Sequence, residues 1–193
     1  MPPKAKVGKA DITAAALDVV RSKGAAALNA RAVAAVLGTS TQPIFSHYKT
    51  MNELKQDVIS AADAEYQAYL GRAMKAGKYP VYKASGMGYI RFAWEERELF
   101  KLLFMRDRSE EVITEDHEQI RPILDIIKTN MGLSEQDAFR FHLEMWIYVH
   151  GIATMTATSY LEFDEEFISQ VLTDAFAGLR ERYQKGGDIH GGH

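Results

Sequence analysis

From Ile12 onward, apolar residues recur every three or four positions along most of the chain. Ile12, Ala15, Ala16, Val19 and Val20 fall on one face at 3.6 residues per turn, which predicts a first amphipathic helix. Asp11 reads as its N-cap and Gly24 as a left-handed C-terminal cap. Asn29 caps a second, short helix carrying Val33, Ala34 and Leu37, and Gly38 stops it. Ser40 or Thr41 opens a third short helix with Ile44, Phe45 and Tyr48. Thr50 and Glu53 form a T-x-x-E capping box for a long fourth helix through about Arg72. After a break from Gly77 to Pro80, helical patterns cover about 81–96, 98–105, 114–131, 134–159 and 164–185. Gly132 separates two of these, and Ser134 with Asp137 marks the start of the eighth helix. Alternating β-branched runs are missing. The predicted fold is all-α, with about nine helices.

Composition narrows the class. Hydrophobic residues make up 47% and charged residues 25%, enough apolar material for a sizeable core. No apolar run approaches the ~20 residues that span a bilayer. The start, MPPKAKVGK, lacks the apolar stretch of a secretory signal, so a cytoplasmic protein is expected. With no cysteine, disulfides and thiolate metal sites are excluded, and no metal or cofactor is expected. Net charge is −3, but it is unevenly spread. Residues 1–60 hold eight Lys and Arg against four acids, and the remainder holds fifteen against twenty-two. A basic head on an acidic body suits a head that approaches phosphates.

The second and third helices carry the functional pattern. A helix-turn-helix needs a small residue where its helices cross, here Ala34, and a residue tolerant of positive φ in the turn, here Gly38. Val33, Leu37 and Ile44 supply the apolar anchors. The second helix of such a pair lies in the major groove with its N-terminal residues on base edges. Those residues are Thr41, Gln42 and Pro43: a hydroxyl, an amide and an apolar ring. A plain helical hairpin with a glycine turn would share the spacing.

The longer run, DITAAALDVVRSKGAAALNARAVAAVLGTSTQPIFSHYKTMNEL from Asp11 to Leu54, resembles the DNA-binding domain of the TetR (tetracycline-repressor) family of bacterial regulators. The features that match are Ala-Ala-Leu in the first helix, Gly24, Arg31 with Val33-Ala34 and Leu37-Gly38. Ile44-Phe45, His47-Tyr48-Lys49 and Glu53-Leu54 complete them. The resemblance implies a helix-turn-helix domain over 1–54. It makes Arg31 a base reader, sets Thr41, Gln42 and Pro43 on bases or the thymine methyl, and puts His47 on a phosphate or sugar. Asn29 would present helix N-terminal N–H groups to a phosphate. Phe45 replaces the family's usual tyrosine, so packing remains and a hydroxyl bond to the backbone is lost. Met51 replaces a common phosphate-binding lysine, leaving Lys49 or Lys55 to supply that charge. Lys4, Lys6 and Lys9 form a basic arm, read either as a groove-following segment or as a frayed terminus.

The remainder resembles one branch of the same family, through GYIRFAWEERELFKLLF and through Trp146 and His150-Gly151 in WIYVHGIATM. The resemblance implies a ligand-binding and dimerisation domain over 55–185, with the last two helices pairing in a homodimer. Residues 186–193, ending GGDIHGGH, are expected to be a disordered tail. Independently, Phe92, Phe104, Met105, Met145, Trp146 and Met155 offer bulky, adaptable walls for a hydrophobic ligand, although core packing accounts for any one of them. His142, Tyr148 and His150 would add polar contacts. Gly151, mid-helix, costs ~1 kcal/mol relative to alanine, which close approach of a partner helix would offset. Phe167, Val171, Leu172, Ala175, Phe176 and Leu179 form a wide stripe suited to a helical-bundle interface.

Enzymatic constellations do not emerge. Gly86-Met87-Gly88 lacks the strand that precedes a phosphate loop. Asp116, His117 and Glu118 are sequence neighbours and point to different helix faces. Glu95-Glu96 and Glu110-Glu111 read as solvated charge, and His190 and His193 as adventitious metal ligands in the tail. The expectation is a homodimeric, ligand-responsive DNA-binding regulator. It would be a repressor released from a palindromic operator by a small hydrophobic effector. A regulator without an effector, or a helical enzyme, are the alternatives.

Overall fold

The structure, a computed structural model, describes residues 7–107, 109 and 117–185. Its described residues form nine α-helices: α1 (Lys9–Lys23), α2 (Ala30–Leu37), α3 (Gln42–His47), α4 (Met51–Lys75), α5 (Val81–Glu95), α6 (Arg97–Phe104), α7 (His117–Met131), α8 (Glu135–Ala157) and α9 (Glu165–Lys185). A single 3-10 turn, Ala25–Ala27, joins α1 to α2. The fold is all-α, as the periodicity predicts. Helix ends fall where local chemistry stops the ladder. Asn29 Oδ1 accepts the N–H of Ala32 at 3.0 Å, and Ser134 Oγ accepts that of Asp137 at 3.1 Å. Gly38 closes α2 in the left-handed region, at φ 62°.

One local expectation is corrected. Asp11 is not the N-cap of the first helix: α1 begins two residues earlier, after Gly8. Asp11 instead sits in the first turn and accepts the N–H of Gly8 at 2.9 Å. A carboxylate there serves the same N-terminal amide cluster from inside the helix. The tail over 186–193, Lys4 and Lys6 of the arm, and Asp116, Glu110 and Glu111 lie outside the described residues.

The chain divides into two compact units, residues 1–69 with 95–106, and residues 70–94 with 107–193. In the first, α1 packs on α2, α3 and α6. Its core takes Ile12, Ala16 and Val20 from α1 and Val33 and Ile44 from α2 and α3. Leu54, Val58 and Ala62 come from α4, and Leu99 and Phe100 from α6. This unit is discontinuous in sequence because α6 buries its apolar face there. In the second unit α8 packs on α7 and α9. A cluster of Ile127, Ala138, Phe141 and Met145 is covered by Tyr82, Phe176, Leu179 and Tyr183.

The two glycines of the Gly86-x-Gly88 pair act in packing. A Cβ on Gly88 would stand 2.8 Å from Ala73 Cβ and 3.2 Å from Leu70 Cδ1. One on Gly86 would stand 3.3 Å from Val149 Cγ2 and 3.5 Å from Leu172 Cδ1. Glycine at these points lets neighbouring helices of the unit approach α5 closely.

Candidate functional site

The first unit presents a polar and cationic face around α2 and α3. Val33 and Ala34 bury the inner side of α2, while Ile44 and Tyr48 anchor the inner side and C-terminal end of α3. With those positions fixed, helical geometry turns Arg31, Gln42, Phe45, Ser46 and His47 outward, and these are exposed, as is Lys49 in the turn after α3. Asn29 is exposed at the start of α2, Thr41 and Pro43 are half-buried at the start of α3, and Lys55 is exposed on α4. The turn is closed by the Gly38 N–H, which reaches Ala34 and Ala35 carbonyls, and by the Thr39 N–H on Ala34 O at 3.0 Å.

Some of these polar groups are already engaged within the unit. His47 Nε2 lies 3.2 Å from the carbonyl of Val7, and the Ser46 hydroxyl donates to Pro43 O at 2.7 Å. Phe45 has 54% of its surface exposed.

A brace behind α3 fixes its angle, and sequence reasoning did not find it. The Tyr48 hydroxyl donates to Asp57 Oδ2 at 2.8 Å and lies 2.7 Å from Thr13 Oγ1. Lys9 Nζ is 2.7 Å from the same Asp57 oxygen and 5.1 Å from the centre of the Tyr48 ring. The ammonium of Lys9 and the hydroxyl of Tyr48 hold the Asp57 carboxyl below the usual carboxylate range. The Asp57 carboxylate in turn raises Lys9. Lys9, read in the sequence as part of a basic arm, thus lies in α1 with its charge paired. The contacts join residues up to 48 positions apart, so no local pattern marks them. A second brace runs from Arg21 to Glu96 at 3.0 Å, to Asp18 at 3.2 Å and to Glu65, linking α1 to α4 and to the residue before α6.

The candidate effector residues divide. Phe92 and Met145 are buried, at 1% and 5% exposure, and Met145 belongs to the central cluster of the second unit. Trp146, next along α8, is 39% exposed and stacks on His150 with ring centroids 4.8 Å apart. Adjacent helical residues point about 100° apart, so they cannot share one environment. Tyr148 and Met155 are exposed. His150 Nδ1 is 2.9 Å from the Tyr89 hydroxyl, and His142 Nδ1 is 3.2 Å from that of Tyr82. Burial lowers the pKa of both imidazoles. Phe104 and Met105 fall in the first unit, where the Phe104 ring meets Tyr66 and Phe100 at 5.1 Å each.

The candidate dimer residues also divide. Leu172 is buried, and Ala175, Phe176 and Leu179 cover the central cluster, so these four serve the chain's own core. Val171 is half-buried, and Phe167 is exposed and stacks on Phe163 at 5.3 Å. Among the described residues, chain neighbours and the helix's own backbone aside, no atom lies within 4 Å of where a Cβ on Gly151 or Gly178 would stand. Leu143 and Ile147, both exposed, lie two turns and one turn before Gly151. Their spacing of four marks one line along α8, a signal present in the sequence but not singled out from it.

Among the described residues, no group of three or more His, Cys, Asp or Glu could hold a metal, and no helix is long and apolar enough to cross a membrane. Residues 82–177 match the family described as "Tetracyclin repressor-like, C-terminal domain". A solved structure described as a TetR-like transcriptional regulator from Rhodococcus sp. RHA1 superposes with a TM-score of 0.62 at 17% identity. The match covers 96% of this chain and 100% of that one. At that identity the likeness speaks for the fold. No curated protein matches the chain by sequence.

Proposed function

The chain belongs to the TetR (tetracycline-repressor) family of DNA-binding transcriptional regulators, and from that premise we propose that it is a homodimeric repressor released from a palindromic operator by a small hydrophobic effector. The observation that carries the reading is the division of α2 and α3 into two sides. Val33, Ala34, Ile44 and Tyr48 are buried, and Arg31, Gln42, Phe45 and Lys49 are exposed. Residues 1–54, with Lys55 just beyond them, make the DNA contact in this reading. Arg31 and Gln42 read base edges, Thr41 and Pro43 flank them, and Asn29, His47, Lys49 and Lys55 meet the phosphate backbone. Residues 55–185 bind the effector and the partner. A dimer with two-fold symmetry sets half-sites about one helical turn, roughly 34 Å, apart or somewhat more.

The effector reading rests on Trp146, exposed on α8 with His142 and His150 one turn to either side on the same face, whereas Tyr148 and Met155 lie roughly half a turn round the helix and would not line the same site. That set suits a mostly apolar molecule with one or two hydrogen-bonding groups. Such a ligand lowers operator affinity by its differential affinity for the state that fits DNA badly. The partner reading rests on the open line Leu143, Ile147, Gly151 and on exposed Phe167. The test begins by selecting bound duplexes from a random pool, for which a palindromic consensus is expected. A compound screen for release from that duplex follows. Enrichment of no sequence overturns the DNA reading, and release by phosphorylated metabolites alone overturns the effector class.

A further inference from the structure

Phe45 is the one large apolar side chain that α3 turns to solvent. The inner positions Ile44 and Tyr48 are buried, so the six-residue helix is anchored without it. At 54% exposure the ring adds little to the core of the first unit and lies on the same outward side as Gln42, one turn earlier. Its other neighbour, Ser46, has turned its hydroxyl proton back to Pro43 O at 2.7 Å. Phe45 itself has no polar atom, so it cannot bond a phosphate or a base edge. The major groove nevertheless displays one apolar group, the C5-methyl of thymine, which stands out from the base-pair edge.

From that match we infer that Phe45 is a specificity-determining residue that packs its ring on a thymine C5-methyl in each half-site. The inference rests on the DNA-binding reading above and deepens it. Arg31 and Gln42 recognise hydrogen-bonding edges, whereas Phe45 recognises the absence of anything to bond. Enclosing one methyl group is worth about the transfer of one methylene from water, or roughly three- to five-fold in affinity per half-site. A ring that only leaned on sugars and phosphates would weaken all sequences alike when removed.

The experiment uses the full chain and the duplex it selects from a random pool. Each thymine of a half-site is replaced in turn by uracil, which deletes the methyl and keeps every hydrogen-bonding atom. Binding is measured for the unaltered chain, Phe45→Ala and Phe45→Leu. The expected result is one position where uracil weakens the unaltered chain three- to five-fold per half-site and leaves Phe45→Ala unaffected. Phe45→Leu should keep part of that penalty, because it still presents carbon to the methyl. The thermal unfolding of Phe45→Ala should match that of the unaltered chain, which separates the effect from folding. Equal weakening on thymine and uracil duplexes, or no uracil penalty anywhere, overturns the assignment while leaving DNA binding intact. A pool that yields no enriched duplex overturns the DNA reading itself and this inference with it.

Discussion

Trp146 lies flat on the imidazole of His150, one helical turn away on α8, with ring planes 13° apart and centroids 4.8 Å apart. A neutral imidazole in that position disturbs indole emission little, whereas an imidazolium quenches it. Burial disfavours the charged ring and pushes His150 below its ordinary value. The titratable group facing it from α5 is Tyr89, whose hydroxyl is 2.9 Å from Nδ1. The proton therefore arrives late on acidification. In a Trp94→Phe background, which leaves Trp146 as the sole tryptophan, selectively excited indole fluorescence should drop as pH falls, with its midpoint below about 6.5. His150→Gln should remove the step. A midpoint at or above that value, or a step that survives the substitution, contradicts the stacking account.

The two glycines of α5 should differ in what they tolerate. Gly88→Ala would place its methyl 2.8 Å from Ala73 Cβ, a short rigid neighbour, so backbone must shift. A loss of about 1–3 kcal/mol in urea unfolding is expected. Gly86→Ala meets Val149 Cγ2 at 3.3 Å, where a few tenths of an ångström of movement suffices, and should cost less. Equal effects at the two sites would mean that helix propensity, not packing, decides there.

These glycines also show where reading a sequence stops. Caps such as Asn29, Gly38 and Ser134 are local chemistry, resolved within three residues, and their helices begin and end where the pattern places them. The glycines of α5 mark close approach, but only the packed helices reveal that Ala73 and Val149 are the neighbours. The same limit hides the Lys9–Asp57–Tyr48 brace and the placement of α6 beside α1, since contacts across tens of residues leave no periodic trace. Met145 and Trp146 illustrate a third case. Both are large and apolar, and only the phase of α8 against its neighbours puts one in the core and the other at the surface. Asp11 shows the opposite error, a correct capping chemistry assigned to the wrong side of the helix boundary.

Arg31 and Lys55 should separate base reading from charge. Both are exposed on the first unit, Arg31 in the first turn of α2 and Lys55 on α4. Arg31→Ala should cost ~1–3 kcal/mol per half-site and relax preference at one position, as expected of a guanidinium on a guanine edge. Lys55→Ala should weaken all duplexes alike and lower the slope of log affinity against log salt by ~0.9 for each phosphate it no longer neutralises. Titrations at several salt concentrations on a selected duplex measure both quantities. Unchanged affinity and unchanged slope in both variants would move the DNA surface elsewhere.

Gly151 gives the sharpest check on the partner. A glycine within a helix costs ~1 kcal/mol relative to alanine, and among the described residues, its chain neighbours and own helix backbone aside, no atom lies within 4 Å of a would-be Cβ. Leu143 and Ile147 extend the same line, and Ile147 is 60% exposed. A single chain would gain from replacing that glycine, and a dimer whose helices approach there would lose. Gly151→Leu should therefore keep or raise the thermal stability of the isolated chain while shifting it to monomer in sedimentation at micromolar concentration. Ile147→Glu should also dissociate the pair, by placing a charge on the line a partner helix would cover. Loss of the second head then removes the effective-concentration advantage of two linked heads, which is worth about 10²–10⁴ in operator affinity. Binding to a single half-site should stay unchanged in both variants. A Gly151→Leu chain that remains dimeric would remove this face of α8 from the interface, and a monomeric unaltered chain would remove the dimer altogether.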